Sequence, residues 1–404
     1  MLVDRRKPNY FRALTGIRGY AFLAVFFTHY DLVLERPASI WHSPMYLWLN
    51  LTWFLVPIYF VMSGFLITRI LLGTREREGY FRIFYLRRAI RVLPLYYIVI
   101  GAVALSALFW HYQLGAKHGL YLMFLQNFTD VRVGKWVDVS HLWSLSIEEQ
   151  FYLLWPLAIW KLRSERQLLR FTYALIASCT VFRILWPLWH MQAWHAYTTT
   201  PARVDAILLG CALALHYNRL NDRAEGFAER WKPYALYAKV SMLVIFAMLL
   251  VVMAVQGTTL PQFTYVGIAF CTPAMNLIGL AIVMLAITPG SVVEHACSRK
   301  WVCRFGQLTY GLYLLHQVYS PIFFYKVTPM LARHMPQVLA QWCAGFIALA
   351  LTTGLAWLAN RFVEKPMATL KEKYKYGPAV EPAPIRMVPQ RVLADGPTEE
   401  ALGS

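Results

Sequence analysis

Arg18 and His29 are the residues of this chain best placed to do chemistry. They stand eleven positions apart within residues 13–30, a run otherwise apolar enough to be a membrane helix. An α-helix turns about 100° per residue, so eleven steps return a side chain to within roughly 20° of its starting direction, about 16 Å along the axis. One helix face therefore carries a permanent cation near one end and an imidazole near the other. Ionisable groups are costly in hydrocarbon and turn towards a polar interior, so a functional site is the default reading. Two plainer readings stand beside it: Arg18 snorkelling to the interface, and His29 as an ordinary interfacial histidine. As chemistry, a neutral imidazole is suited to act as general base towards a hydroxyl.

Other polar groups recur at helical spacing. Ser144, Glu148 and Tyr152 are four apart and share a face. Glu148 would orient His29 or stabilise its imidazolium, or else hold an acceptor hydroxyl; alternatively Glu148 and Glu149 are both solvated at a wet interface. Arg88 and Arg91 stand at i, i+3, and two guanidiniums on one face suit a phosphate-bearing ligand, although basic loops also serve simply to fix topology. Arg203 and Asp205 form either an internal ion pair or a substrate-facing pair. Tyr313 and His316 are also i, i+3, with His316 either structural or facing a polar cavity. Ser63-Gly64 is read as a close-packing point, and Glu364-Lys365-Pro366 as the end of the last helix. No phosphate-binding glycine loop, HExxH or strand-borne GxSxG occurs. The six cysteines lack CxxC spacing, so neither a metal site nor a disulfide is expected.

The elements that must position these groups follow from composition. The chain is 58% hydrophobic and only 15% charged, with mean hydropathy +0.43. It reads as an all-α, polytopic membrane helical bundle rather than a barrel of short alternating segments. Candidate spans are residues 13–30, 47–72, 92–112, 141–160, 168–190, 203–217, 234–256, 265–288, 305–325 and 338–360, near the length a bilayer requires. Residues 118–127 are apolar but too short, and are expected to form a re-entrant or interfacial piece. With both termini inside, the cytoplasmic side collects about 27 Lys and Arg, including the dense loop from Arg69 to Arg91, against 5 outside. That asymmetry accounts for the net charge of +18 without nucleic acid. The basic residues before the first apolar run and the missing cleavage site argue against a removed signal peptide. Residues 1–370 form the expected transmembrane domain. Residues 377–404, rich in Pro, Ala, Glu and Gly, are expected to be a disordered cytoplasmic tail.

Six motifs, in order, carry a family resemblance. Leu14-Thr15-Gly16-Ile17-Arg18-Gly19 with His29 resembles the opening of the acyltransferase 3 family of integral-membrane O-acyltransferases. The others are Phe60-Val61-Met62-Ser63-Gly64-Phe65-Leu66-Ile67, Arg87-Arg88-Ala89-Ile90-Arg91, residues 143–152, Arg203-Val204-Asp205 and residues 310–316. The similarity runs from about residue 10 to about 370. One departure is Thr15, where the family commonly has Asp.

The resemblance implies a ten-crossing bundle in the bacterial inner membrane that takes an acyl group, usually acetyl, from cytoplasmic acyl-CoA and passes it to a hydroxyl, most often on a cell-surface or lipid-linked glycan. By matching position, His29 is the catalytic residue and Arg18 its partner on the first helix, Arg88 and Arg91 match the family's cytoplasmic basic motif, and Glu148 matches the carboxylate of the fourth crossing. The expected site thus has His29 and Glu148 as catalytic residues, Arg18, Arg88 and Arg91 on the donor, and Arg203, Asp205, Tyr152 and His316 on the acceptor. Acyl-CoA, the hydroxyl acceptor and membrane lipids are the expected partners, no metal is expected, and homo-oligomerisation stays open. No Gly-Asp-Ser motif follows the bundle, so transfer is expected to finish within the membrane domain. Direct transfer and an acyl-histidine intermediate both remain open. The rival classes are a transporter or flippase of an anionic or lipid-linked sugar, against which no internal repeat is found, and an acyltransferase of a macrolide-type small molecule.

Overall fold

A computed structural model of the chain describes residues 11–30, 55–129, 137–190, 192–221, 227–256 and 264–379. The basic start at residues 4–7, the first part of the predicted span 47–72, and the tail beyond residue 379 lie outside the described residues. Among the described residues the fold is helical throughout, and the protein is an all-α polytopic membrane protein. The principal helices are α1 (Arg12–Tyr30), α2 (Leu55–Leu72), α3 (Tyr80–Trp110), α4 (Trp143–Lys161), α5 (Glu165–Leu185), α6 (Asp205–Asn221), α7 (Phe227–Gln256), α8 (Thr272–Ala286), α9 (Lys300–Gly306), α10 (Thr309–Leu315), α11 (Gln337–Ala359) and α12 (Lys365–Glu372).

Six helical stretches among the described residues are long and apolar enough to cross a bilayer: Leu55–Leu72, Tyr80–Trp110, Glu165–Trp189, Glu229–Met253, Gly267–Ala286 and Gln337–Glu372. Leu55–Leu72 and Gly267–Ala286 are each 61% buried, whereas Glu229–Met253 is only 17% buried, so the first two are central and the third is a peripheral, lipid-facing wall. The other predicted spans fall on α1, α4, α6 and the segment 305–325. Two of these, α1 and α4, carry Arg18, His29, Glu148 and Glu149. Residues 305–325 are not one rod: they break into short pieces that include Thr309–Leu315, Ser320–Ile322 and a wide-turn segment from Phe323. Residues 116–123 form a 3₁₀ stretch of eight residues, too short to cross.

The close crossing of α2 and α6 is made by glycine. A side chain at Gly64 of α2 would strike the Ile207 carbonyl, and one at Gly210 of α6 would strike the Val61 carbonyl. In hydrocarbon, helices associate by such close packing rather than by expelling water. Bringing α2 onto α6 places Ser63, the neighbour of Gly64, against α4.

Three five-residue wide turns, Gly267–Cys271, Phe323–Val327 and Asn360–Glu364, each run into a helix whose second residue is proline: Pro273, Pro329 and Pro366. In each the residue before proline donates its N–H five residues back: Thr272 to Gly267, Thr328 to Phe323 and Lys365 to Asn360. The wider turn removes the clash between the proline ring and the carbonyl four residues earlier. Glu364-Lys365-Pro366 therefore does not end the last helix, which continues to Glu372. Beyond it, residues 377–379 pair with the loop between α2 and α3: the Gly377 N–H donates to the Glu78 carbonyl (3.2 Å) and the Glu78 N–H to the Pro378 carbonyl (3.1 Å).

Candidate active site

The inward face of α1 meets two polar layers. At the Arg18 level, the Tyr59 hydroxyl of α2 donates to the Arg18 carbonyl (2.8 Å). One turn further along α2, Ser63 Oγ shares a hydrogen bond with the Tyr152 hydroxyl and also meets Glu148. With Glu148 ionised, only one order satisfies all three groups: Tyr152 donates to Ser63, and Ser63 to the carboxylate. Arg18 lies within electrostatic reach of Glu148, Tyr59 and Arg91.

The two carboxylates of α4 have separate partners. Glu149 takes Arg88 in a two-pronged pair, Nε to Oε2 at 3.0 Å and Nη2 to Oε1 at 2.6 Å, and the guanidinium lies 3.3 Å over the Tyr152 ring. A planar fork held on both its edge and its face is fixed in direction. Arg91, one turn along α3, has no carboxylate within salt-bridge distance among the described residues. It keeps over a third of its surface accessible while feeling the charges of Arg18 and Arg88 and of Glu364. That combination makes Arg91 the accessible cation in a cluster of charged groups.

At the other end of α1 the layer is built from imidazoles. The His29 ring lies 5.2 Å from the His316 ring, which lies 4.7 Å from the His141 ring, centre to centre. The Tyr30 hydroxyl donates to the His316 carbonyl (2.8 Å). Asp138 is within electrostatic reach of His29 and His141, and is held by Gln317 Nε2 (2.8 Å) and by the Ser140 N–H (2.8 Å). Tyr313 joins the layers. Its hydroxyl donates to the His141 carbonyl (2.7 Å) and so accepts from Ser144 Oγ (2.9 Å), while Glu148 and Tyr59 lie within electrostatic reach. Among the described residues no group of His, Cys, Asp and Glu is arranged to hold a metal ion, and every cysteine is free.

The structure thus brings Arg18, Arg88, Arg91, Glu148 and Tyr152 together in one layer and sets His29 and His316 in the other. Glu148 keeps company with Ser63, Arg88, Glu149 and Arg18; no described contact joins it to His29. Arg203 and Asp205 lie within electrostatic reach of each other but form no salt bridge among the described residues. Asp205 pairs with Arg183 (2.8 Å), both side chains almost fully buried, and Arg183 also donates to the Ala202 carbonyl (2.5 Å). Arg203 lies over the rings of Tyr197 (4.7 Å) and Phe60 (5.9 Å). The sequence did not single out Asp138, Tyr59 or Arg183, marked Glu364 only as part of a helix end, and gave His141 and Glu149 no role in the site. Tyr59 carried a usable signal, one turn before Ser63 on the same face. Arg183 carried another, as a lone arginine inside an apolar run.

The family model described as "Acyltransferase domain", Acyl_transf_3, matches residues 11–361. The peptidoglycan O-acetyltransferase OatA of Listeria monocytogenes is 26% identical over 385 residues, covering 90% of this chain and 56% of that protein. The O-acetyltransferase OatA of Staphylococcus aureus is 26% identical over 393 residues, covering 89% and 57%. The putative peptidoglycan O-acetyltransferase YrhL of Bacillus subtilis is 25% identical, covering 89% and 55%. The chain spans little more than half the length of these relatives. No solved structure matches it. The motifs, the helical bundle and the match over most of its length lead to one assignment: the chain belongs to the acyltransferase 3 family.

Proposed function

We propose that the protein is a membrane O-acetyltransferase that moves an acetyl group from cytoplasmic acetyl-CoA to a hydroxyl of a cell-wall glycan, with His29 as general base. The observation that carries this reading is the placement of Arg18 and His29 on one inward ridge of α1, each in its own polar layer. The relatives named as peptidoglycan O-acetyltransferases support the acceptor class and the acetyl group.

In this reading the Arg18 layer faces the cytoplasm. Arg91 meets the polyanionic end of the donor, and Arg88, anchored by Glu149, shapes the wall beside it. The pantetheine arm passes Arg18 towards His29, and the roughly 16 Å between them is on the order of that arm's length. His29 takes the hydroxyl proton as the oxygen attacks the thioester carbonyl, a contribution of about 10²–10⁴ in rate, and returns it to the departing thiolate. Glu148, through Ser63 and Tyr152, holds the donor layer in shape.

The test is mass spectrometry of cell-wall glycan from cells with and without the gene. Loss of O-acetyl groups in its absence is expected; an unchanged acetylation pattern would remove the acceptor assignment.

A further inference from the structure

His316 is buried to 1% exposure, yet one of its ring nitrogens has a fixed role and the other has none. Nδ1 lies 2.8 Å from the Tyr313 carbonyl. A carbonyl oxygen only accepts, so Nδ1 carries the proton. Nε2 is then a bare lone pair, and it is buried without a hydrogen-bond partner. Buried acceptors are seldom left so, and each one calls for an explanation. Its nearest imidazoles are His29 at 5.2 Å and His141 at 4.7 Å, centre to centre.

We infer that His316 is a positioning residue for His29: its bare Nε2 receives the N–H of one His29 ring nitrogen and so presents the other as the lone pair facing the acceptor hydroxyl. An N–H···N bond between two imidazoles needs ring centres about 5 Å apart, which is the His29–His316 separation. The ring planes are inclined by 54°, and a rotation of the His29 ring about its broad terminal torsion completes the contact. The rest of the layer is built to hold His316 still. Tyr30, next to His29 on α1, binds the His316 carbonyl, and the Phe22 ring meets the imidazole edge-on at 5.6 Å. His316 takes the place that a carboxylate fills in other base-orienting pairs. It gains and loses no proton during turnover: the O–C bond forms, the C–S bond breaks, and the proton travels from hydroxyl to His29 to thiolate. This inference rests on the reading of His29 as base.

The test compares His316→Phe, which keeps the ring and removes both nitrogens, with His316→Gln, which can restore an acceptor near Nε2. The expected result is kcat lower by about 10²-fold in His316→Phe, an unchanged KM for acetyl-CoA, and recovery of most of the loss in His316→Gln. Full kcat in His316→Phe with an inactive His29→Ala overturns the positioning role and leaves the base standing; an active His29→Ala overturns both. If His316→Phe does not fold, ¹⁵N spectra of histidine-labelled protein decide. The bare-nitrogen signal of His316 should move in His29→Ala and hold its position in His141→Phe. An Nε2–H tautomer at His316, or the opposite response, contradicts the inference.

Discussion

Arg18 and His29 share one ridge of α1 yet belong to different chemical neighbourhoods. Arg18 sits among Tyr59, Glu148 and Arg91, and His29 beside His316 and Asp138. A single helix therefore carries an anion-attracting layer and an imidazole layer, with Tyr313 spanning the interval. A donor whose polyanionic end and reactive thioester are separated by an extended arm fits that division.

Arg88 and Arg91 should not behave alike. Arg91 has no salt-bridge partner among the described residues, and in the proposed reading it meets a donor phosphate, so Arg91→Ala is expected to raise KM for acetyl-CoA by about 10–100-fold, the loss of one charge-assisted bond, with little change in thermal stability. Arg88→Ala leaves Glu149 without its partner inside the bundle and is expected to lower the melting temperature in detergent, with Glu149→Gln doing the same. Equal KM effects and equal stability in the two arginine variants would show that the Glu149 pair does not separate their roles.

The Arg183–Asp205 pair is a structural prediction. Both side chains are almost wholly buried, so Arg183→Ala strands a carboxylate and should cost about 3–5 kcal/mol. The double variant Arg183→Met with Asp205→Leu removes both charges and should recover much of that loss. Thermal melts of the three proteins check this. A single variant as stable as the parent would mean that the charges are not compensating each other.

The α2–α6 crossing offers a steric test. Gly64→Ala and Gly210→Ala each place a methyl group against a backbone carbonyl and should destabilise by about 1–3 kcal/mol, the usual cost of overpacking. Gly354→Ala on α11 meets nothing within 4 Å and should leave the melting temperature unchanged or slightly raised. Because Ser63 rides on the same turn, Gly64→Ala should also lower activity, whereas Gly354→Ala should not.

How much was legible in the sequence varies with the physical cause. The Arg18–His29 ridge could be read because helix periodicity alone fixes it. Membrane helices announced themselves by apolar length, and six stretches among the described residues qualify on that ground. Residues 305–325 read as one span because hydropathy averages over a window, yet their backbone breaks at residues 307–308 and again at residues 316–319. Pro366 read as a stop because proline forbids the ordinary helical bond; the Asn360–Glu364 wide turn reroutes that bond and carries the helix on. Partner choice was the least legible. Nothing in Arg203-Val204-Asp205 says that Asp205 turns to Arg183, twenty-two positions earlier, because that contact depends on how α5 meets the start of α6. Nor does adjacency in Glu148-Glu149 say that one carboxylate grips Arg88 while its neighbour faces Ser63.

The central claim is tested most directly by incubating the purified protein and its His29→Ala variant with acetyl-labelled CoA and a peptidoglycan acceptor, and measuring label bound to glycan. The account predicts stable label with the parent protein and none above background with His29→Ala, although the variant remains folded and membrane-inserted. Near-parental labelling by His29→Ala would contradict the assignment of His29 as the base.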